Sequence, residues 1–503
     1  MGATGLVSRT IVWNRTSKGA SNALGEKRHW LARFFAEILV LTLLAIAVAS
    51  YTFDLGERWL GWGQADPKTE PAAVQPPEGL RLPVAGAVPA VARPGKAVGV
   101  DPAKVAAVVA PLLRKRVLGP HFGVLVTDLT TGRPVYRTGA KVITPASTTK
   151  VLTTAAALES LGAMARFQTS VRWLPRTRQL VLVGGGDPFL ASSPKQADLG
   201  YPNRVDVQTL AKATVRKLRT MKVRRVRLAF DDSYFTGPAV NPAWPSSYIP
   251  EDVVPPISSL WVDQGQQPDG FGYVSDPAAS AAQVFRSALQ RNGLKVRPQV
   301  ARATVPPEAT DVASVSSAPL GEIVERTLEV SDNQAAEVLA RHVGLAERQE
   351  GSFAAGAASV LEVLQRLGVP VTGAQLYDGS GLSRQNRLSS TTLAGVLRLA
   401  ESADQPGLRQ VLTGLPVSGF TGSLQYRFDT GPADARGRVR AKTGTLTGVH
   451  GLAGVVDDVS EGRLAFVVVA DPVRPRKELA AQTLIDRIAG ALGACRCGVG
   501  SGP

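Results

Sequence analysis

Thr144-Pro145-Ala146-Ser147-Thr148-Thr149-Lys150-Val151-Leu152 reads as a tight turn that delivers Ser147 to the first turn of a buried helix. Ser147 and Lys150 are three residues apart, so on a helix their side chains share a face and come within hydrogen-bond reach. A serine hydroxyl is a weak nucleophile until its proton is removed, and a desolvated lysine, or one beside another cation, has a pKa low enough to remove it. Ser147 is the candidate nucleophile and Lys150 the candidate base. The helix start adds free N–H groups and a positive dipole end, both suited to developing negative charge. The apolar run after Lys150 predicts a central helix closed by Gly162.

A lone Ser-x-x-Lys is equally well a capping serine beside a solvated lysine, so the rest of the chain has to decide. Its 503 residues, 44% of them hydrophobic, are enough for two or three domains with ample core and exclude a disordered chain. A balance of 57 Lys+Arg against 41 Asp+Glu gives a formal charge of +16, which suits nucleic acid, a membrane surface or an anionic polymer such as cell wall. No basic stripe interleaved with aromatics occurs, so nucleic-acid binding is not expected. Residues 1–33 form a basic cytoplasmic segment in which Arg9, Arg15, Lys18, Lys27, Arg28 and Arg33 are opposed only by Glu26. The apolar run 34–53 that follows is the length of a bilayer span, and the positive lead keeps the N-terminus inside. It is either a retained signal anchor to the cytoplasmic membrane, which the long basic lead favours, or a signal peptide cut after Ala47-Val48-Ala49. Both put the rest of the chain at the extracytoplasmic face of the membrane or in the cell envelope, secreted if the signal is cleaved. Cys495 and Cys497 are the only cysteines, and with four histidines no metal site is expected. A disulfide across one intervening residue would be strained, so free thiols and a tail bridge both stay open.

Residues 54–100 are a Pro/Ala-rich linker. Asp101 opens a helix, and Gly123 to Arg137 alternates around Thr131-Gly132 as a hairpin does. Between 168 and 272 the texture changes to short strands and turns, with one helical stretch near Val207 to Leu218. That stretch reads as an inserted, β-rich accessory domain. The flanking pieces, 101–167 and 273–493, form one α/β (α+β) catalytic domain, and 494–503 is a tail. Ser331-Asp332-Asn333 falls in a helix-to-helix corner, and Lys442-Thr443-Gly444 begins an edge strand ahead of two antiparallel strands.

Ser147-x-x-Lys150, Ser331-x-Asn333 and Lys442-Thr443-Gly444 occur in the order used by class A β-lactamases and penicillin-binding proteins. With Gly184-Gly-Gly-Asp-Pro, Asp231-Asp-Ser-Tyr-Phe, Asp378-Gly-Ser-Gly-Leu-Ser-Arg and Ala441-Lys-Thr-Gly-Thr-Leu, residues 101–490 resemble class C low-molecular-mass penicillin-binding proteins. These are the D-Ala-D-Ala carboxypeptidase/endopeptidase family. The resemblance implies a serine β-lactamase/transpeptidase-like sandwich with an accessory insertion. Larger members carry two inserted domains, and the stretch here is short for both, so one is expected. It implies a serine-type D-Ala-D-Ala carboxypeptidase, with endopeptidase action on crosslinks left open, that acts on peptidoglycan stem peptides without a cofactor or metal.

By the same resemblance, Ser147 attacks the carbonyl between two D-alanines and Lys150 accepts its proton. Ser331 relays a proton to the leaving amine, and Asn333 holds substrate backbone and Lys150. Lys442 and Thr443 meet the terminal carboxylate, Gly444 leaves room for substrate, and the N–H groups of Ser147 and Thr445 form an oxyanion hole. β-Lactams would acylate Ser147 and deacylate slowly. A β-lactamase or esterase of the same fold is the first rival. The Glu-x-x-Leu-Asn that serves class A deacylation is missing, and the distance from Ser147 to Ser331 is long for one. The second rival is a membrane-tethered penicillin-binding sensor or wall-binding module, for which a complete Ser–Lys set would be superfluous. His450 is expected to be a strand side chain, Asp332 a cap, Asp378 and Ser380 to shape a loop at the site's rim, and Trp244 and Trp261 to pack in the core or between domains.

Overall fold

The computed structural model describes residues 98–499 together with Thr42. The run 34–53 expected to span a membrane, the basic segment before it and most of the linker lie outside the described residues. Among those described, no helix is long and apolar enough to cross a membrane.

In chain order the main elements are α1 (Pro102–Leu113), β1 (Phe122–Asp128), β2 (Pro134–Gly139), β3 (Val142–Ile143), α2 (Thr149–Leu161), β4 (Gln168–Leu174), β5 (Gln179–Val183), α3 (Val207–Thr220) and β6 (Arg225–Asp231). Then come α4 (Pro277–Arg291), β7 (Lys295–Arg302), β8 (Thr310–Ser316), α5 (Leu320–Glu329), α6 (Asn333–Arg348), α7 (Phe353–Arg366), β9 (Leu388–Ser389), α8 (Ser390–Glu401), β10 (Val439–Leu446), β11 (Val449–Asp457), β12 (Arg463–Ala470) and α9 (Glu478–Gly493).

The first sheet runs β10-β11-β12-β1-β2, and its pairings are antiparallel throughout. Side chains alternate across a strand, so each strand supplies two cores. Leu125, Ala453, Ala465, Val467 and Val469 meet α2, α5, α6, α7 and α8 on one face. Val124, Leu452, Phe466 and Val468 meet α1 and α9 on the other. Both faces are apolar because both are covered. α2 is enclosed nearly all round, with every residue from Thr149 to Leu158 buried. The catalytic helix is therefore held rigidly at the centre of its layer.

The second sheet runs β7-β6-β5-β4-β8 and has its own core with α3 and α4. It corrects the expected boundary at 272, because α4, β7 and β8 belong to this sheet. β7 pairs parallel with β6, and β8 pairs antiparallel with β4. The chain leaves the first layer at about 168 and returns at about 317. Helical periodicity after Asp276 suggested a return to the catalytic domain, whereas α4 is a crossover packed on the inserted sheet.

The expected linker and tail boundaries also move. Val98 bridges Gly462 and Val100 bridges Gly498, so ordered pairing begins before residue 101. Cys497 is fully buried, and its N–H donates to Asp458 Oδ2 at 2.9 Å. Cys495 and Cys497 are joined by a disulfide with a Cα–Cα distance of 5.2 Å, inside the usual range. Residues 495–499 are thus clamped against the first sheet.

Candidate active site

The nucleophile turn is built from backbone strain and hydroxyl caps. Ala146 adopts φ +47, in the left-handed region that a residue with a Cβ rarely occupies. The Thr148 and Thr149 hydroxyls donate to the carbonyls of Pro145 (2.7 Å) and Ala146 (2.9 Å) and fix the turn that feeds α2. Gly381 backs it at φ +87, where a Cβ would lie 1.9 Å from the Ala146 carbonyl oxygen. Ser147 remains partly exposed while its neighbours are buried.

Lys150 is fully buried and donates to Ser147 Oγ at 2.9 Å, Asn333 Oδ1 at 2.7 Å and the Ser380 carbonyl at 2.8 Å. All three donor positions of the ammonium are therefore directed. Burial pushes its pKa down to about 8, against the opposing pull of Glu337, Asp378 and Asp332. An amine poised there can take a proton from a hydroxyl it already touches.

Lys442, Thr443, Gly444 and Thr445 lie on β10, the edge of the first sheet. Ser418 N donates to the Val439 carbonyl at 2.9 Å and Ala441 N to the Pro416 carbonyl at 3.0 Å, so odd-numbered residues turn their backbone outward. The same alternation turns the backbone of Thr443 and Thr445 toward the open edge, where an extended peptide adds as a strand. Lys442 is fully buried and donates to the Thr443 carbonyl at 3.1 Å. Its pKa lies well below the ordinary lysine value, through burial first and then the like charges of Lys150 and Arg427. A buried cation with a cationic neighbour is a receptor for a carboxylate. The Thr443 hydroxyl is 3.0 Å from Ser423 Oγ, and Thr445 is exposed.

Gly444 has a reason beyond the one expected. Its missing Cβ would meet the Pro145 carbonyl oxygen at 2.8 Å and Thr148 Cγ2 at 3.2 Å, so it leaves room for the nucleophile turn. Ser331 occupies φ +62 at the corner between α5 and α6 and is partly exposed. Asp332 caps α6 by accepting from Ala335 N at 2.8 Å, and Gln264 of the insertion donates to both its oxygens. Asn333 begins α6 one turn before Glu337.

Residues 378–383 form the floor under Lys150, not the rim expected. Ser380 supplies a carbonyl to Lys150, and Asp378 accepts from Gly381 N (2.9 Å), Ser383 N (2.5 Å), Asn386 Nδ2 (2.7 Å) and Trp244 Nε1 (2.8 Å). Sequence reasoning assigned Glu337 no role. Its carboxyl is fully buried and accepts from Ser380 N at 2.8 Å and Gly379 N at 3.2 Å, so it holds the residue whose carbonyl holds Lys150. Burial, then Asp378, raise its pKa to about 8. The signal available was spacing: Asn333 and Glu337 are four apart and share one face of α6. His450 is a buried strand residue whose Nε2 is 3.4 Å from Glu478. Trp244 and Trp261 are buried, with Trp261 Nε1 donating to the Asp187 carbonyl at 3.0 Å. Among the described residues no cluster of His, Cys, Asp and Glu could hold a metal.

A strained serine turn, a buried lysine in contact with it and an open strand edge carrying a buried cation define a serine acyl-transfer site. The sequence of residues 104–269 and 271–492 matches the model of the D-Ala-D-Ala carboxypeptidase 3 (S13) family, and the chain belongs to that family. It is 36% identical over 474 residues to carboxypeptidase DacB of Mycolicibacterium smegmatis, covering 92% of this chain and 96% of that one. It is 31% identical over 437 residues to a D-alanyl-D-alanine carboxypeptidase of an Actinomadura species, covering 70% and 78%. Among solved structures it resembles penicillin-binding protein 4 (dacB) of Haemophilus influenzae, with a TM-score of 0.65, 21% identity and coverage of 75% and 97%. A second structure of that protein, complexed with a β-lactam, gives a TM-score of 0.59 at 21% identity, covering 77% and 99%.

Proposed function

We propose that this chain is a serine-type D-Ala-D-Ala carboxypeptidase acting on peptidoglycan stem peptides, and that β-lactams acylate the same serine. The observation that carries it is the 2.9 Å contact from fully buried Lys150 to Ser147. Neutral Lys150 takes the hydroxyl proton as Ser147 Oγ attacks the carbonyl between the two D-alanines. The oxyanion forms between the N–H groups of Ser147 and Thr445, and the outward-turned backbone of β10 supports the second of these. The substrate backbone pairs along that edge, with its terminal carboxylate toward Lys442 and Thr443. Ser331 passes a proton to the leaving D-alanine amine, Asn333 keeps Lys150 in place, and water then hydrolyses the acyl-enzyme. The family match and the named relatives support this reading over a β-lactamase or a non-catalytic sensor. The apolar run 34–53 behind its basic lead supports tethering at the outer face of the cytoplasmic membrane.

The test is labelling with a fluorescent penicillin, paired with D-alanine release from a stem pentapeptide. Wild type should do both, and Ser147→Ala neither. Persistent labelling of a folded Ser147→Ala chain would show that another residue is the nucleophile. Penicillin turnover without D-alanine release would favour the β-lactamase.

A further inference from the structure

The inserted sheet has a strongly basic end that the chemistry above does not use. β5, β6 and β7 run parallel, with α3 leading into β6 and α4 into β7. The C-termini of both helices, the N-termini of these strands and the β4–β5 turn therefore meet at one end. Backbone contacts record the convergence. Arg227 N donates to the Arg178 carbonyl at 2.8 Å, Lys295 N to the Arg224 carbonyl at 3.1 Å, and the Arg219 guanidinium to the Asn292 carbonyl at 2.8 Å.

Arg178, Arg219, Lys222, Arg224, Arg225 and Lys295 are all exposed there. No Asp or Glu occurs between residues 207 and 230 or between 277 and 307. Among the described residues none of these six cations is in an ion pair. Of the carboxylates on or just beyond the same sheet, Asp232 and Asp276 pair with Arg302 at the other end, while Asp311 on β8 pairs with Arg172 on β4 beside the β4–β5 turn. That other end faces the catalytic layer: Gly186, just beyond β5, contacts His342 Nε2 at 2.9 Å. The domain is thus polarised, with the six unpaired cations gathered at the end away from the cleft. Helix dipoles account for a cation at a helix C-terminus but not for those on the strand starts and the turn.

We propose that this distal end docks an anionic polymer bearing phosphodiesters, so that the catalytic cleft works while the inserted domain grips the polymer. The chemistry favours phosphate over bases, since no exposed aromatic is present among these cations for stacking. It favours a polymer over a bilayer, since among the described residues Met221 is the only exposed large apolar side chain beside them and gives a membrane little to bury.

The experiment titrates the full chain in neutral detergent with fluorescent poly(glycerol phosphate), reading anisotropy from low to high salt. Binding should weaken with salt, and the variant R219S/K222S/R224S/R225S should bind at least about tenfold more weakly, with a log–log salt slope reduced by about 3. Micelles doped with phosphatidylglycerol should compete poorly per phosphate. Unchanged binding by the variant, absence of binding by the wild type, or full displacement by phosphatidylglycerol would each overturn the proposal. None of the four residues touches the Ser147 site, so equal penicillin acylation of variant and wild type verifies the fold. Binding is read without turnover, so its failure is distinct from failure of the peptidase reading.

Discussion

Replacing Glu337 with Gln separates two effects that the structure joins. Lys150 titrates at about 8, so near neutrality only about one molecule in ten holds the neutral amine, and acylation should rise with pH up to that point. Glu337 is second only to burial among the influences on this amine and acts in the opposite direction, holding the proton on. Because Glu337 itself titrates at about 8, it gains charge as Lys150 loses it, and the wild-type acid limb should be shallower than a one-proton curve. Asp378 on the floor loop, Asp332 at the cap, Arg341 on the same helix and Lys442 on β10 are the other charges that act on this pair. In Glu337→Gln the limb should become a simple one-proton curve with its midpoint at lower pH, raising the acylation rate near pH 8, where wild-type Glu337 carries charge, and leaving it unchanged at pH 6, where Glu337 is neutral. An amide oxygen can satisfy only one of the Gly379 and Ser380 N–H groups, so stability should fall by about 1–3 kcal/mol. The assay is stopped-flow acylation by a fluorescent penicillin from pH 5 to 10, with urea unfolding alongside. A midpoint that stays put while stability falls would make Glu337 a packing residue and refute the electrostatic argument.

His342 is buried, stacked on Phe167 at 3.8 Å, and its pKa is lowered to about 4 by burial. Below pH 6.5 the unfolded chain binds a proton that the folded chain refuses, so stability is lost as pH falls from 6.5 toward 4. The loss amounts to about 3 kcal/mol, and urea midpoints of His342→Gln should show less of it. Gly444→Ala should reduce acylation more than tenfold by pressing on the nucleophile turn, and Gly381→Ala should do worse, since its Cβ adds positive-φ strain to the overlap. Both are read by penicillin acylation rate with circular dichroism as the fold check. Trp244→Phe removes one donor from Asp378 while keeping a ring against Phe353. It should lower both stability, by about 1–2 kcal/mol, and acylation rate.

Local chemistry made much of this site legible. Ser147 and Lys150 share a helix face, so their contact was available from spacing alone, and the edge strand at Lys442 followed from the two antiparallel strands that come after it. The packing role of Gly444 was not legible, because the atoms its Cβ would strike come from a turn about 300 residues earlier, which no local pattern reports. Glu337 was missed for a related reason. A glutamate one turn along an amphipathic helix looks solvated until tertiary packing buries it beneath the 378–383 loop. The insertion boundary failed because helical periodicity identifies a helix without saying which sheet it covers. α4 has the same pattern whether it crosses over in the inserted sheet or belongs to the catalytic layer.

The insertion is part of the catalytic machinery's frame. Its Trp244 indole holds Asp378, its Asn241 side chain donates to the Tyr377 carbonyl at 2.7 Å, and its Gln264 holds the Asp332 cap. Two of the segments that grip Lys150, the floor loop and the start of α6, are therefore braced from outside the layer that carries the nucleophile. Phe235, Trp244, Ile257 and Trp261 pack with Val338, Phe353 and Leu382 in one shared core, so excising 168–316 would expose that apolar surface and release both braces. The basic end and the braced end lie on opposite sides of the same sheet.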